Sequence, residues 1–77
     1  MPNVYTHQDG AVLVYGDPVS EDDQLIALHR IDRAARECEA DGLLEMRSAF
    51  LRCGVELIMA RLDAARFRAR QAFVEGA

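Results

Sequence analysis

The residues best suited to chemistry are His29 and Asp32, which lie three positions apart in a helix-forming stretch. This spacing places both side chains on one helical face, where they could bind a metal ion or act as an acid–base pair. A metal site normally needs three or four ligands, and the next candidate on this helix, Cys38, lies about two and a half turns away. We therefore interpret His29 as a solvated residue on a charged helix face, and we expect neither a metal site nor a cofactor.

The two cysteines, Cys38 and Cys53, could form a disulfide or serve as reactive thiols. A turn at Asp41 and Gly42 would fold the chain back and place Cys38 near residue 45. Cys53 would then lie about 12 Å farther along the helix axis, which exceeds the reach of a disulfide. We expect both cysteines to be small core residues, and an intersubunit bridge or a reactive thiol is the alternative.

A basic cluster with an aromatic residue, Phe67, among its members consists of Arg61, Arg66, Arg68 and Arg70. Such a cluster could contact an anion or a nucleic acid. In a pair of antiparallel helices, however, it would begin beside Glu21, Asp22 and Asp23, which would partly neutralise it. A small DNA-associated regulator is therefore the alternative function, behind the interaction protein described below.

Motifs for enzymatic chemistry are missing from the sequence. It has no glycine-rich phosphate loop, no zinc-type cysteine pattern and no serine or threonine in a nucleophile motif. Its two serines have structural interpretations, since Ser20 precedes a helix and Ser48 lies on an apolar seam. We expect a protein that is not an enzyme.

The length and composition favour one folded domain over residues 1–77. About half of the residues are apolar (51%) and 29% are charged, which is the balance of a folded chain. A single core of this size is usually only marginally stable without metals, disulfides or partner chains. We therefore expect help from an oligomer.

The charge is negative overall and unevenly distributed. A net charge of −4 argues against a general binder of nucleic acids or anionic membranes. Residues 9–45 hold ten acidic residues and three arginines, whereas residues 46–77 hold six arginines and three acidic residues, so the two halves are complementary. The sequence shows neither a membrane-spanning run nor a secretion signal, and we expect a cytoplasmic protein with no membrane partner.

Residues 3–16 predict a β-hairpin. Two stretches rich in β-branched and aromatic residues flank Asp9 and Gly10, and Asp-Gly is a strong signal for a type I′ turn. A two-residue loop would pair His7 with Val12 and, farther from the turn, Tyr5 with Val14. Because an isolated hairpin is barely stable in water, it must pack against something.

Residues 20–41 predict the first helix. We expect residues 16–18 to end the hairpin, and Ser20 to cap a helix whose first turn is acidic. An apolar stripe from Leu25 to Cys38 has the spacing of a one-sided helix. Gly42 suits a left-handed helix cap, and such a short connection predicts that the next helix folds back antiparallel.

Residues 43–75 predict one long second helix, because they lack proline and are rich in helix-forming residues. Two apolar lines run along it, each in alternating steps of three and four. The first apolar line is Leu44, Ser48, Leu51, Val55, Ile58, Leu62, Ala65, Ala69 and Ala72. The second apolar line is Leu43, Met46, Phe50, Cys53, Leu57, Ala60, Ala64 and Phe67.

The two lines occupy different faces of the helix, so this helix has two surfaces to cover. The shorter first helix can cover one of them, and the other needs a hairpin strand or another subunit. A helix of this length spans about 50 Å, so its last third should overhang a compact monomer. That overhang contains Phe67, Phe73 and Val74.

These patterns predict a mainly α protein, with an N-terminal β-hairpin and an antiparallel two-helix hairpin that dimerises into a four-helix bundle. We expect a small bacterial or phage interaction, regulatory or accessory protein that acts as a homodimer and binds another protein. The expected interface residues are Leu44, Leu51, Val55, Ile58, Leu62, Phe67 and Phe73.

Overall fold

The computed structural model describes residues 4–76 and shows a mainly helical chain that begins with a small antiparallel sheet. The sheet has the strand order β1-β2-β3. The molecule is elongated, with principal extents of 53 × 24 × 16 Å. Its elements, in chain order, are β1 (Tyr5–Gln8), β2 (Ala11–Val14), β3 (Asp17–Pro18), α1 (Glu21–Ala40) and α2 (Leu44–Gly76).

The hairpin of β1 and β2 has the predicted turn and register. Asp9 and Gly10 have φ angles of 53° and 84°, and positive φ at both central positions is the requirement of a type I′ turn. Tyr5 pairs with Val14, and His7 pairs with Val12. The part of the predicted hairpin that falls on residue 3 lies outside the described residues.

A third strand follows where the sequence indicated only a break. Asp17 and Pro18 pair with Val14 and Leu13 of β2, so the expectation that residues 16–18 simply end the hairpin is wrong. The turn between β2 and β3 again has two positive φ angles, 48° at Tyr15 and 85° at Gly16. Pro18 can occupy β3 because this strand is an edge of the sheet, where a missing N–H group is tolerated.

The first helix begins as its sequence predicts. Ser20 has an extended backbone, and its hydroxyl accepts a hydrogen bond from the N–H of Asp23 at 3.2 Å. This bond satisfies one of the free N–H groups at the start of α1, and the acidic first turn interacts favourably with the helix dipole. Gln24 is buried, and its side-chain amide donates a hydrogen bond to the carbonyl of Val19 at 2.9 Å, which offsets the cost of burying this polar group.

A glycine cap reverses the chain between the two helices. Gly42 has a φ of 73°, and its N–H donates to Glu39 while that of Leu43 donates to Cys38. This pair of bonds forms a Schellman motif, which satisfies the last carbonyls of α1. Arg61 contacts the carboxylate of Glu21, so the start of α1 lies beside the middle of α2, as an antiparallel arrangement requires.

The core lies where the sheet and α1 meet the middle of α2. Val12, Leu57, Ala60 and Ala64 are buried together. Side chains from the sheet and from α1 cover this cluster, namely Tyr5, Ala27, Leu28 and Ile31. The small residues on α2 allow close packing: a Cβ atom at Gly54 would lie 3.4 Å from the side chain of Ile31. Within residues 4–76, neither helix combines the length and the apolar composition needed to cross a bilayer.

Candidate interaction surface

The first apolar line of α2 faces solvent throughout its length. Its large side chains expose between 43% and 60% of their surface, and they are Leu44, Leu51, Val55, Ile58 and Leu62. Ser48, Ala65, Ala69 and Ala72 between and beyond them are also exposed. Helical steps of three and four residues bring these positions into a continuous apolar stripe.

The first apolar line is exposed because the sheet and α1 both pack against other faces of α2. The second apolar line contributes Leu57, Ala60 and Ala64 to the core. On one flank of these residues, Glu56 accepts a hydrogen bond from the N–H of Val4 at 3.1 Å. On the other flank, α1 approaches Gly54 and Arg61. Among the described elements, none is left to cover the first apolar line.

A groove adjoins this stripe between α1 and α2. It has a volume of about 350 Å³. Leu28 of α1 lines it, together with Ile58, Leu62 and Ala65 of α2. Glu21 and Arg61 also line the groove, so the apolar stripe is bordered on this side by an ion pair.

The predicted interface residues do not all belong to this surface. Phe67 is half-buried, and its ring lies 5.9 Å from that of His7. It therefore packs against the hairpin of its own chain, and the overhang of α2 begins after Arg68, which also contacts the hairpin. Phe73 and Val74 are strongly exposed, at 79% and 68%. Met59, which the sequence prediction omitted, is 49% exposed one turn beyond Val55 and widens the stripe.

The basic cluster is divided into two pairs on different sides of α2. Arg61 contacts Glu21, and Arg68 donates to the carbonyl of Gly10 at 2.5 Å. Arg66 and Arg70 instead line a small pocket with His7, and Arg66 lies 3.8 Å from Asp63. The four guanidinium groups therefore do not form one continuous basic surface.

The sequence candidates for metal or acid–base chemistry, His29 and Asp32, line one open depression on the surface of α1. Asp32 pairs with Arg36 at 3.1 Å, and His29 is exposed. Among residues 4–76, no group of three His, Cys, Asp or Glu residues could hold a metal ion. Both cysteines are free; Cys38 is buried, as predicted, whereas Cys53 is only half-buried.

One tyrosine has a perturbed acidity. Burial raises the pKa of Tyr5 above its ordinary value of 10.0, and the charges of Cys53 and Tyr15 raise it further. Cys53 and Tyr15 would each be negative after losing a proton, so each disfavours the phenolate form of Tyr5. Tyr5 packs against the core cluster, and its perturbed pKa thus reflects a structural position.

No protein-family model matches this chain, and neither the characterised proteins nor the solved structures include one with significant similarity to it.

Proposed function

We propose that this protein is a non-enzymatic interaction protein that acts as a homodimer, and that the first apolar line of α2 is its dimer interface. The observation that supports this proposal is the exposure of five large apolar side chains in one helical stripe. Continuous apolar surfaces of this kind mark sites of protein association. Packing two helical hairpins through their α2 helices would give a four-helix bundle.

The size of the stripe fits a dimer interface. Each large side chain exposes roughly 100 Å², and burying it would stabilise the dimer by roughly 1.5 kcal/mol or more before ordering costs. Five such side chains from each copy would bury about 1,000 Å², which reaches the threshold of about 1,000 Å² for a biological interface. Met59 and the alanines of the stripe would add to this area.

Self-association also fits the size of the protein. A core built from Val12, Leu57, Ala60 and Ala64 contains only one large fully buried side chain, that of Leu57. Domains this small commonly need an additional source of stability. A second copy would supply it by extending the core to the opposite face of α2.

Sedimentation equilibrium at about ten micromolar protein tests the proposal. We expect a mass of twice 8.6 kDa for the unaltered protein and a single chain for Ile58→Asp, because a carboxylate in a dry seam is costly. Ile26→Asp is the matched control, since Ile26 is 47% exposed on α1 and Ile58 is 49% exposed on α2. We expect this control to remain a dimer.

Circular dichroism distinguishes dissociation from unfolding in these variants. Ile58→Asp should keep most of its helical signal, because Ile58 is half-exposed within one chain. A single-chain mass for the unaltered protein at this concentration would refute the proposal. Equal dissociation of the two aspartate variants would show that another surface forms the dimer.

A further inference from the structure

The dimer proposed above could pair its α2 helices in either direction, and we propose that they run antiparallel, with the dyad between Val55 and Ile58. This inference rests on the proposed function and adds the orientation and register of the partner. The spacing of the exposed residues and the charges that flank them support this orientation.

The exposed residues repeat in alternating steps of four and three from Leu44 to Ala72. A repeat of 3.5 residues is typical of helices that pack side by side with a small left-handed crossing angle. The first apolar line therefore has the geometry of a coiled-coil seam, and a second α2 helix is the partner that such a seam fits.

An antiparallel register about this dyad matches eight of the nine positions of the seam, all except Ala72, with a position on the second copy. Each layer occurs twice by symmetry. Two large residues meet in each of the two inner layers, and each of the two outer layers contains at least one small residue. The layers are Val55 with Ile58, Leu51 with Leu62, Ser48 with Ala65, and Leu44 with Ala69. The seam would be about 38 Å long.

Charges beside the seam favour the same direction. Glu45 and Arg66 are exposed and lie on the flank away from α1, at opposite ends of the seam. In the antiparallel register, Glu45 of each copy lies near Arg66 of the other, which gives two attractive pairs. On the α1 flank, Arg47 of each copy lies near Arg68 of the other, but each of these arginines already has a partner in its own chain: Arg47 lies 3.6 Å from Glu39, and Arg68 donates to the carbonyl of Gly10.

The parallel arrangement offers no attractive pair beside the seam. In a parallel seam, each residue on the α1 flank faces the residue five positions later on the other copy. Arg47 would then face Arg52 of the second copy, and Arg61 would face Arg66 of the second copy. Like charges in such positions weaken association and discriminate against that pairing.

Disulfide trapping tests the orientation. Leu51→Cys and Leu62→Cys are made separately in a background in which Cys38 and Cys53 are alanine, and one chain carries a tag so that mixed dimers differ in mass. In the antiparallel register, residue 51 lies opposite residue 62, whereas the two copies of residue 51 are about 17 Å apart along the axis, beyond disulfide reach. We expect mild oxidation of an equal mixture to trap mainly the mixed dimer.

The outcomes separate this inference from the proposed function. Trapping of each variant mainly with itself, in a protein that sediments as a dimer, would overturn the antiparallel orientation and leave the homodimer intact. A single-chain mass in sedimentation would overturn both. Loss of the circular dichroism signal in either cysteine variant would direct the test to the charge variants below, which alter only exposed positions.

Charge reversal provides that second test. At low salt, Glu45→Arg and Arg66→Glu should each raise the dimer dissociation constant roughly tenfold, because each reversal affects two symmetric pairs. The double variant should return close to the original value. Arg70→Glu, also exposed on α2, is the control and should change the constant little. Additive weakening in the double variant would overturn the antiparallel register.

Discussion

Arg68, near the end of α2, donates a hydrogen bond to the carbonyl oxygen of Gly10 in the first β-turn. The contact is close, because a Cβ atom at Gly10 would lie 2.8 Å from Cγ of Arg68. Gly10 therefore serves two purposes: it adopts a positive φ of 84° and it leaves room for the arginine side chain. The hairpin turn is thus fastened to the long helix.

The first prediction concerns this fastening. Gly10→Ala should lower the free energy of unfolding by roughly 2 kcal/mol, through backbone strain and displacement of Arg68. Gly16→Ala is the matched control, since Gly16 has a similar φ of 85° but a Cβ atom there would meet no other atom of residues 4–76 within 4 Å. Gly16→Ala should lower the free energy of unfolding by only about 1 kcal/mol. Equal losses in urea unfolding would show that the contact with Arg68 contributes nothing.

The second prediction separates the two apolar lines of α2. Leu57 is fully buried and Leu51 is 43% exposed. Leu57→Ala should lower the free energy of unfolding by about 2–5 kcal/mol at every protein concentration, because it leaves a cavity. Leu51→Ala should weaken association and affect stability mainly at concentrations where the dimer forms. Urea unfolding at two protein concentrations measures the stability of each variant, and sedimentation measures its association. If Leu51→Ala lost more stability than Leu57→Ala in the dilute sample, the assignment of Leu57 to the core and Leu51 to the interface would be contradicted.

The third prediction follows from the raised pKa of Tyr5. Because the folded state holds this proton more tightly than the unfolded state, stability is complete below the ordinary pKa of 10.0 and falls as the pH rises through the higher folded value. Tyr5→Phe should remove this part of the pH dependence. Urea midpoints measured from neutral to strongly alkaline pH test it, and Tyr15→Phe leaves Tyr5 as the reporter for ultraviolet titration. Identical profiles for the unaltered protein and Tyr5→Phe would contradict the prediction.

The fourth prediction concerns the thiols. The protein should run identically on a denaturing gel with and without reductant, because both cysteines are free. In the folded protein, Cys53 should react with a thiol reagent faster than Cys38, which is only 7% exposed. In Cys53→Ala only Cys38 remains, so the reaction rate of this variant identifies the slower reaction as that of Cys38. A band of dimer mass that disappears with reductant would instead indicate an intersubunit disulfide.

The fifth prediction weighs the alternative function as a DNA-associated regulator. Since the four arginines are divided between two sides of α2, we expect no duplex DNA binding at physiological salt in a fluorescence anisotropy titration. Binding that weakens steeply with salt would support the alternative. It should then be lost in Arg66→Ala/Arg70→Ala and retained in Arg52→Ala, an exposed arginine outside the cluster.

Much of the fold could be predicted because its signals are local. The Asp9-Gly10 turn determines the register of β1 and β2, and Ser20 and Gly42 mark the ends of α1 through their caps. The predicted helices, 20–41 and 43–75, agree with α1 and α2 to within one residue at each end. Each of these features depends on a few neighbouring residues.

The third strand escaped prediction because its turn violates the usual residue preference. Tyr15 adopts a positive φ of 48°, which is unfavourable for a residue with a bulky side chain. Pairing of Val14 with Asp17 accompanies this conformation. Neither Tyr-Gly nor Asp-Pro is a strong hairpin signal, so the sequence indicated only a strand break.

The sequence showed two apolar lines on α2 but could not show which one the chain itself would cover. That choice depends on close approach between distant elements, as where Ile31 meets Gly54. The sheet and α1 pack against the second apolar line, which contains the small residues Ala60 and Ala64. Phe67, the last member of this line, packs against His7 of the hairpin, and its place in the dimer interface stays a prediction.

The attachment of the sheet to α2 also has a kinetic consequence. Two hydrogen bonds attach the sheet to α2: one joins Val4 to Glu56, which is 52 positions later in the chain, and the other joins Gly10 to Arg68, which is 58 positions later. The two helices, by contrast, meet across the short turn at Gly42. Closing long loops is slower than closing short ones, and so small a sheet is barely stable alone. We therefore expect the helical hairpin to form first and the sheet to dock last, and amide hydrogen exchange should show the strands opening before the middle of α2.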